Sequence, residues 1–240
     1  MKKTTWKLCS LLLLTPFVCL AGNAKAAVAD TIPGPKQNID LIDPTIGNVG
    51  QLLEPTRPTV QLPNQLIRFT PQRKDYMDDQ ISDFPLTIVS HRLGQVFSIK
   101  PTVETPSKAA WEARMAYDHN LEVNRPLYYS TWLLNEEVNV EFTAGKKTGY
   151  YRFRFPQGKT KSLLFDVYNN GEAAYSFLPG NVMTGMETYH DDIKVFMYGV
   201  FSEAGAPGVV EHGQLSTNKS IAGKGIQAYI SFPATTREVT

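Results

Sequence analysis

Three pairs of adjacent acids draw attention first: Asp78-Asp79, Glu136-Glu137 and Asp191-Asp192. Acid–base hydrolysis of a glycosidic bond, a reaction carboxyl pairs serve, needs the two groups about 5–10 Å apart with one kept protonated by its surroundings. Neighbours on a strand point to opposite faces, so each pair reads instead as a solvated turn or strand end. His190-Asp191-Asp192 offers metal ligands, but a single triplet lacks the second cluster a site requires, and a turn into the apolar run behind it explains it. Ser90-His91 sets a hydroxyl beside a base without a G-x-S-x-G elbow, and adjacent residues on an extended chain rarely touch. The residue types therefore assign no catalytic group and no metal ligand.

The elements that would carry these groups have a period of two. Glu137 to Phe142 alternates polar and apolar residues, the pattern of a half-buried antiparallel strand. Gly145 to Gly149 reads as a turn into Tyr151-Arg152-Phe153-Arg154-Phe155, where Pro156 ends the pairing, and together they predict a hairpin. Tyr128 to Leu134, Ser162 to Tyr168 and Gly225 to Phe232 are further strands, and Ile88-Val89 with Val96 to Ile99 suggests a pair. Ile193 to Phe201 is apolar on both faces and is placed near the centre of a layered sheet. Phe153, Phe155, Phe165, Phe196 and Phe232 are read as core. One short helix is expected, Ser107 to Tyr117, capped by Ser107. The predicted class is all-β: a large two-sheet antiparallel super-β-sandwich with few short helices.

At the start, Lys2, Lys3 and Lys7 precede an apolar run of 13 residues, Leu8 to Leu20, that closes on Ala24-Lys25-Ala26. Charge, apolar run and small residues in that order make residues 1–26 a secretory signal peptide, too short to span a membrane. Lipidation at Cys19 is disfavoured because Val18 before it is bulky. Cleavage after Ala26 removes Cys9 and Cys19 and leaves 214 residues, a length that buries a core without disulfides. It also leaves 20 basic against 23 acidic residues, a balance that speaks against a nucleic-acid surface. Residues 27–39 are a flexible lead-in, residues 40–240 one β-sandwich domain, and the product is expected to be exported, periplasmic or on the cell surface.

From residue 43 onward the motifs resemble the N-terminal domain of glycoside hydrolase family 92. Asp43-Pro44-Thr45-Ile46-Gly47 is similar to its D-P-x-I-G opening, and Ser90-His91-Arg92-Leu93 to its S-H-x-H-L segment. Glu122 to Ser130 resembles E-x-x-x-P-G-Y-Y, and Val140 to Ala144 with Gly149 to Pro156 resembles the E-L-T-A and H-R-Y-x-F-P hairpin. The chain departs from the pattern at Pro63 to Phe69, where the family has P-F-G-M-V-Q-L, and at Arg92-Leu93, where its second His is missing. The resemblance implies a super-β-sandwich packed on an (α/α)6 barrel that carries the catalytic carboxylates and a calcium ion, so this chain alone is expected to be inactive.

Sugar recognition combines an aromatic ring under a pyranose with planar polar groups on its hydroxyls. The resemblance puts Tyr76, His91, Arg92 and Trp111 near the junction, which makes them the candidate carbohydrate-binding residues. The expected partners are a mannoside-like glycan and an (α/α)6 catalytic domain, in cis or from an adjacent gene, with no nucleic acid and no membrane after signal cleavage. The expected role is a non-catalytic, carbohydrate-handling domain of an exported exo-acting glycosidase, with a stand-alone lectin as the alternative.

Overall fold

The computed structural model describes residues 38–44, 59–74, 78–88, 94–190 and 192–240. The expected signal segment, most of the expected lead-in and residues 45–47 of the D-P-x-I-G opening lie outside the described residues, as do Tyr76, Ser90, His91, Arg92 and Asp191.

The chain is mostly strand, in several antiparallel sheets. A six-stranded sheet runs in the order Gln214–Ser216, Ala206–Glu211, Ala228–Phe232, Lys161–Asp166, Gln95–Thr102 and Phe84–Ile88. A five-stranded sheet holds Glu238–Val239, Gly149–Arg154, Val138–Ala144, Tyr128–Leu133 and Val123–Arg125. A four-stranded sheet holds Ile193–Val200, Val182–Tyr189, Ala173–Leu178 and Ser220–Gly223. Two short pairs, Val60–Gln61 with Arg68–Phe69 and Gln80–Ile81 with Met115–Ala116, complete the set among the described residues.

The period-two pattern explains the layering. Val138, Val140, Phe142 and Ala144 are buried on one face of their strand, and the predicted hairpin forms with Tyr151 opposite Phe142. Register sets Phe84 and Phe165 on either side of Ile99, so all three share one face of the six-stranded sheet. Phe142 and Tyr151 of the five-stranded sheet meet Phe84, and Tyr175 and Phe177 of the four-stranded sheet meet Phe165. One layer is thus the six-stranded sheet, and the facing layer is shared by the other two, with an aromatic core between.

Two expectations are corrected. The helix is Lys108–Glu112 only; Ser107 caps it by accepting from Ala110 N at 3.2 Å, but Met115–Ala116 is drawn into strand pairing with Gln80–Ile81. Ile193–Val200 is an edge strand rather than a central one, and Phe196 is 74% exposed instead of core. Its inner-face residues Val195 and Met197 pack on the core, while Phe196, Tyr198 and Val200 on its outer face are exposed.

Candidate functional site

The face of the six-stranded sheet turned away from the core carries the polar side chains of the same strands. Alternation puts Ser98 and Lys100 on it between core-facing residues, and Leu164 and Asp166 beside them. The register that sets Phe84 opposite Ile99 brings Asp83 next to Lys100. The short helix then crosses this face. Lys100 Nζ donates to Trp111 O at 2.9 Å and to Ala113 O, and Trp111 Nε1 donates to Phe165 O at 3.2 Å, so the helix end is fastened to the sheet at three points.

Beneath Trp111 lies a cavity of about 120 Å³, lined by Asp83, Ser98, Lys100, Trp111, Asp166 and Tyr168 among others. Tyr168 Oη donates to Asp83 Oδ1. Asp166 accepts from Val167 N and from Gln227 Nε2, both at 2.8 Å. Burial pushes the Asp83 carboxyl up to about 7; Lys100 opposes that shift and the neighbouring Asp166 adds to it. Burial raises Asp166 as well, against the pull of its hydrogen bonds. Lys100 is lowered by burial, and Asp83, Glu136 and Asp166 resist the loss of its charge. The cluster thus gathers two carboxyl groups and an amine whose charged forms burial disfavours, and Asp83 exchanges its proton near neutral pH.

Size limits what this arrangement does. A water takes about 30 Å³ of liquid, so the cavity has room for about four, whereas ligand clefts run from about 300 Å³ upward. It suits ordered water or a single polar substituent, not a pyranose ring. Asp83 has the acidity of a general acid, yet Tyr168 occupies one of its oxygens and no glycosidic bond fits beside it.

A second hollow of about 530 Å³ lies between the turn at Glu211 to Gly213 and the loop from Ile221 to Gln227. Asn218 Nδ2 holds both Glu211 oxygens at 3.0 Å there, and no Phe, Tyr or Trp lines it.

Of the four candidate sugar contacts, Trp111 lines the cavity, with its indole N–H directed inward and its ring edge-on to Tyr229 at 6.5 Å. Tyr76, His91 and Arg92 lie outside the described residues. The paired acids separate by role. Asp78 holds Lys74 N at 2.7 Å and pairs with Arg114, and Glu137 sits at a positive φ of 56° with Lys159 at 3.1 Å. Among the described residues no three His, Cys, Asp or Glu side chains converge as metal ligands.

The model of the glycosyl hydrolase family 92 N-terminal domain matches residues 41–240. A family GH92 inverting mannosidase from Bacteroides thetaiotaomicron superposes with a TM-score of 0.72 at 20% identity, over 85% of this chain and 31% of that one. A GH92 α-mannosidase from the same organism gives 0.72 at 19% identity, over 84% of this chain and 32% of that one. The chain spans about a third of the length of these solved proteins. No curated protein sequence matches it.

Proposed function

Because the chain belongs to glycoside hydrolase family 92 through its N-terminal domain, we propose that it is the non-catalytic, carbohydrate-handling domain of an exported, exo-acting, α-mannosidase-like enzyme. The reading rests on one observation: the match runs through residues 41–240 and corresponds to about a third of the mannosidases it superposes on. The domain's task in this reading is to complete a sugar-binding cleft with an (α/α)6 catalytic domain, in cis or from an adjacent gene, that supplies the catalytic carboxylates and binds calcium. Residues 1–26 direct export, and Tyr76, His91, Arg92 and Trp111 are the proposed sugar-facing residues.

The test is to incubate the purified chain alone with mannobiose while following mannose release and, by calorimetry, binding. Neither is expected. Steady mannose release overturns the non-catalytic reading, and saturable binding at micromolar concentration favours a stand-alone lectin instead.

A further inference from the structure

The outer face of the five-stranded sheet mixes aromatic rings with planar polar groups. Register runs Ser130, Glu141 and Arg152 across the strands in one row and Trp132, Asn139, Arg154 and Glu238 in the next. Tyr128 and Tyr150 stand two residues before Ser130 and Arg152 on their own strands, and so on the same face. At the middle Glu141 is only 7% exposed; its Oε1 accepts from Tyr128 Oη at 2.7 Å and from Arg154 Nη1 at 3.4 Å, and its Oε2 from Arg152 Nε. Arg154 Nε also donates to Glu238 Oε2 at 3.0 Å. These bonds hold two guanidinium planes in place and leave them N–H donors to spare, with the side chains of Arg152 and Arg154 40% and 45% exposed.

We propose that this face binds a neutral oligosaccharide chain, an inference that deepens the carbohydrate-handling reading above and rests on it. The surface is separate from the Trp111 cavity, because the five- and six-stranded sheets meet across the core and their outer faces lie on opposite sides of the sandwich. Spacing and chemistry choose the ligand. Tyr128 and Trp132 are four residues apart on one strand, about 13 Å, and Tyr150 lies two strands from Tyr128, about 10 Å, so different sugar units of one chain can rest on different rings. Between the rings, the guanidinium groups offer donors and the carboxylates acceptors to hydroxyl groups. In the two rows the carboxylates of Glu141 and Glu238 offset the charges of Arg152 and Arg154, which disfavours a polyanion and suits a neutral chain. The outer face of the four-stranded sheet is the internal comparison: there Phe196 and Tyr198 are exposed beside Met186 and Thr184, rings without planar polar neighbours. An open face covers a sugar on one side only, so the expected Kd is about 0.1–1 mM, too weak for saturation by mannobiose at micromolar concentration.

The experiment is affinity electrophoresis of the purified chain in native gels cast with soluble mannan, xylan or hydroxyethyl cellulose, against a polymer-free gel. Retardation by at least one polymer is expected. Tyr150→Ala, which removes a ring that is 64% exposed, should weaken it at least about 5-fold, and Trp132→Ala/Tyr150→Ala should abolish it. Tyr198→Ala, on the other exposed sheet face, should be retarded like the parent. Urea midpoints of the variants show that each is folded; should the double variant fail to fold, Tyr150→Ala decides alone. Retardation by none of the polymers, retardation unchanged in Tyr150→Ala, or an equal loss in Tyr198→Ala overturns the proposal. Each of these outcomes leaves the non-catalytic reading standing, because the release of mannose from mannobiose tests that reading by itself.

Discussion

Glu187 offers the sharpest prediction about what holds the two layers together. It is fully buried on the inner face of the four-stranded sheet, where its Oε2 accepts from Phe97 N at 2.6 Å. Its Oε1 accepts from Tyr168 N and Asn169 N, both at 2.8 Å, and from Asn169 Nδ2 at 2.6 Å. One carboxylate therefore ties the Val182–Tyr189 strand to the facing sheet and to the loop behind Lys161–Asp166. It also steadies Phe97, whose φ of 54° is a left-handed conformation costing about 1–2 kcal/mol for a bulky residue.

Glu187→Ala leaves three backbone N–H groups without an acceptor. At about 1–3 kcal/mol each, reduced by water entering the vacated space, the expected loss is about 3–6 kcal/mol, a large share of a typical domain's 5–15 kcal/mol. Glu187→Gln keeps the volume and one oxygen but turns an NH2 toward the Phe97 N–H, for an expected loss of about 1–3 kcal/mol. Urea unfolding followed by tryptophan fluorescence and far-ultraviolet circular dichroism reads both from the midpoints at constant slope. The reasoning is refuted if Glu187→Ala unfolds within about 0.5 kcal/mol of the parent.

Asp83, held near 7 against an ordinary value of 3.8, contributes stability that is complete below about pH 4 and is lost as pH rises through 7, by up to about 4 kcal/mol. Asp83→Asn should accordingly flatten the fall in urea midpoint between pH 5 and 8, and parallel curves for variant and parent would contradict the assignment. Phe142 touches the rings of Phe69, Phe84, Tyr129 and Tyr151, so Phe142→Ala should cost about 3–5 kcal/mol in the same unfolding assay. A Cβ on Gly149 would lie 2.0 Å from Phe69 Cζ, so Gly149→Ala should force that ring aside at a cost of about 1–3 kcal/mol, seen as a lower thermal midpoint. Ser107→Ala removes the helix cap and should cost about 1 kcal/mol, seen as a small midpoint shift.

Local pattern carried much of the architecture. The alternation in Glu137 to Phe142, the turn at Gly145 to Gly149 and the Ser107 cap act over a few residues, and each reappears in the structure. The ordered motifs from residue 43 onward pointed to the family because several short signals in one order constrain each other. The same pattern misplaced Ile193–Val200, because side-chain periodicity records which faces are apolar and not which strand lies alongside or whether a further body covers the outer face. Lys100 and the two acids Asp83 and Asp166 were equally silent. No motif joins them, and only the pairing of three strands with a helix laid across them sets the charges around one cavity. Strand character, turns and caps are decided by sterics and hydrogen bonds between near neighbours, so the sequence alone determined them. Edge positions, the Glu187 tie and the shifted acidity of Asp83 arise from burial by segments far apart in the chain, and burial is a property of the folded whole.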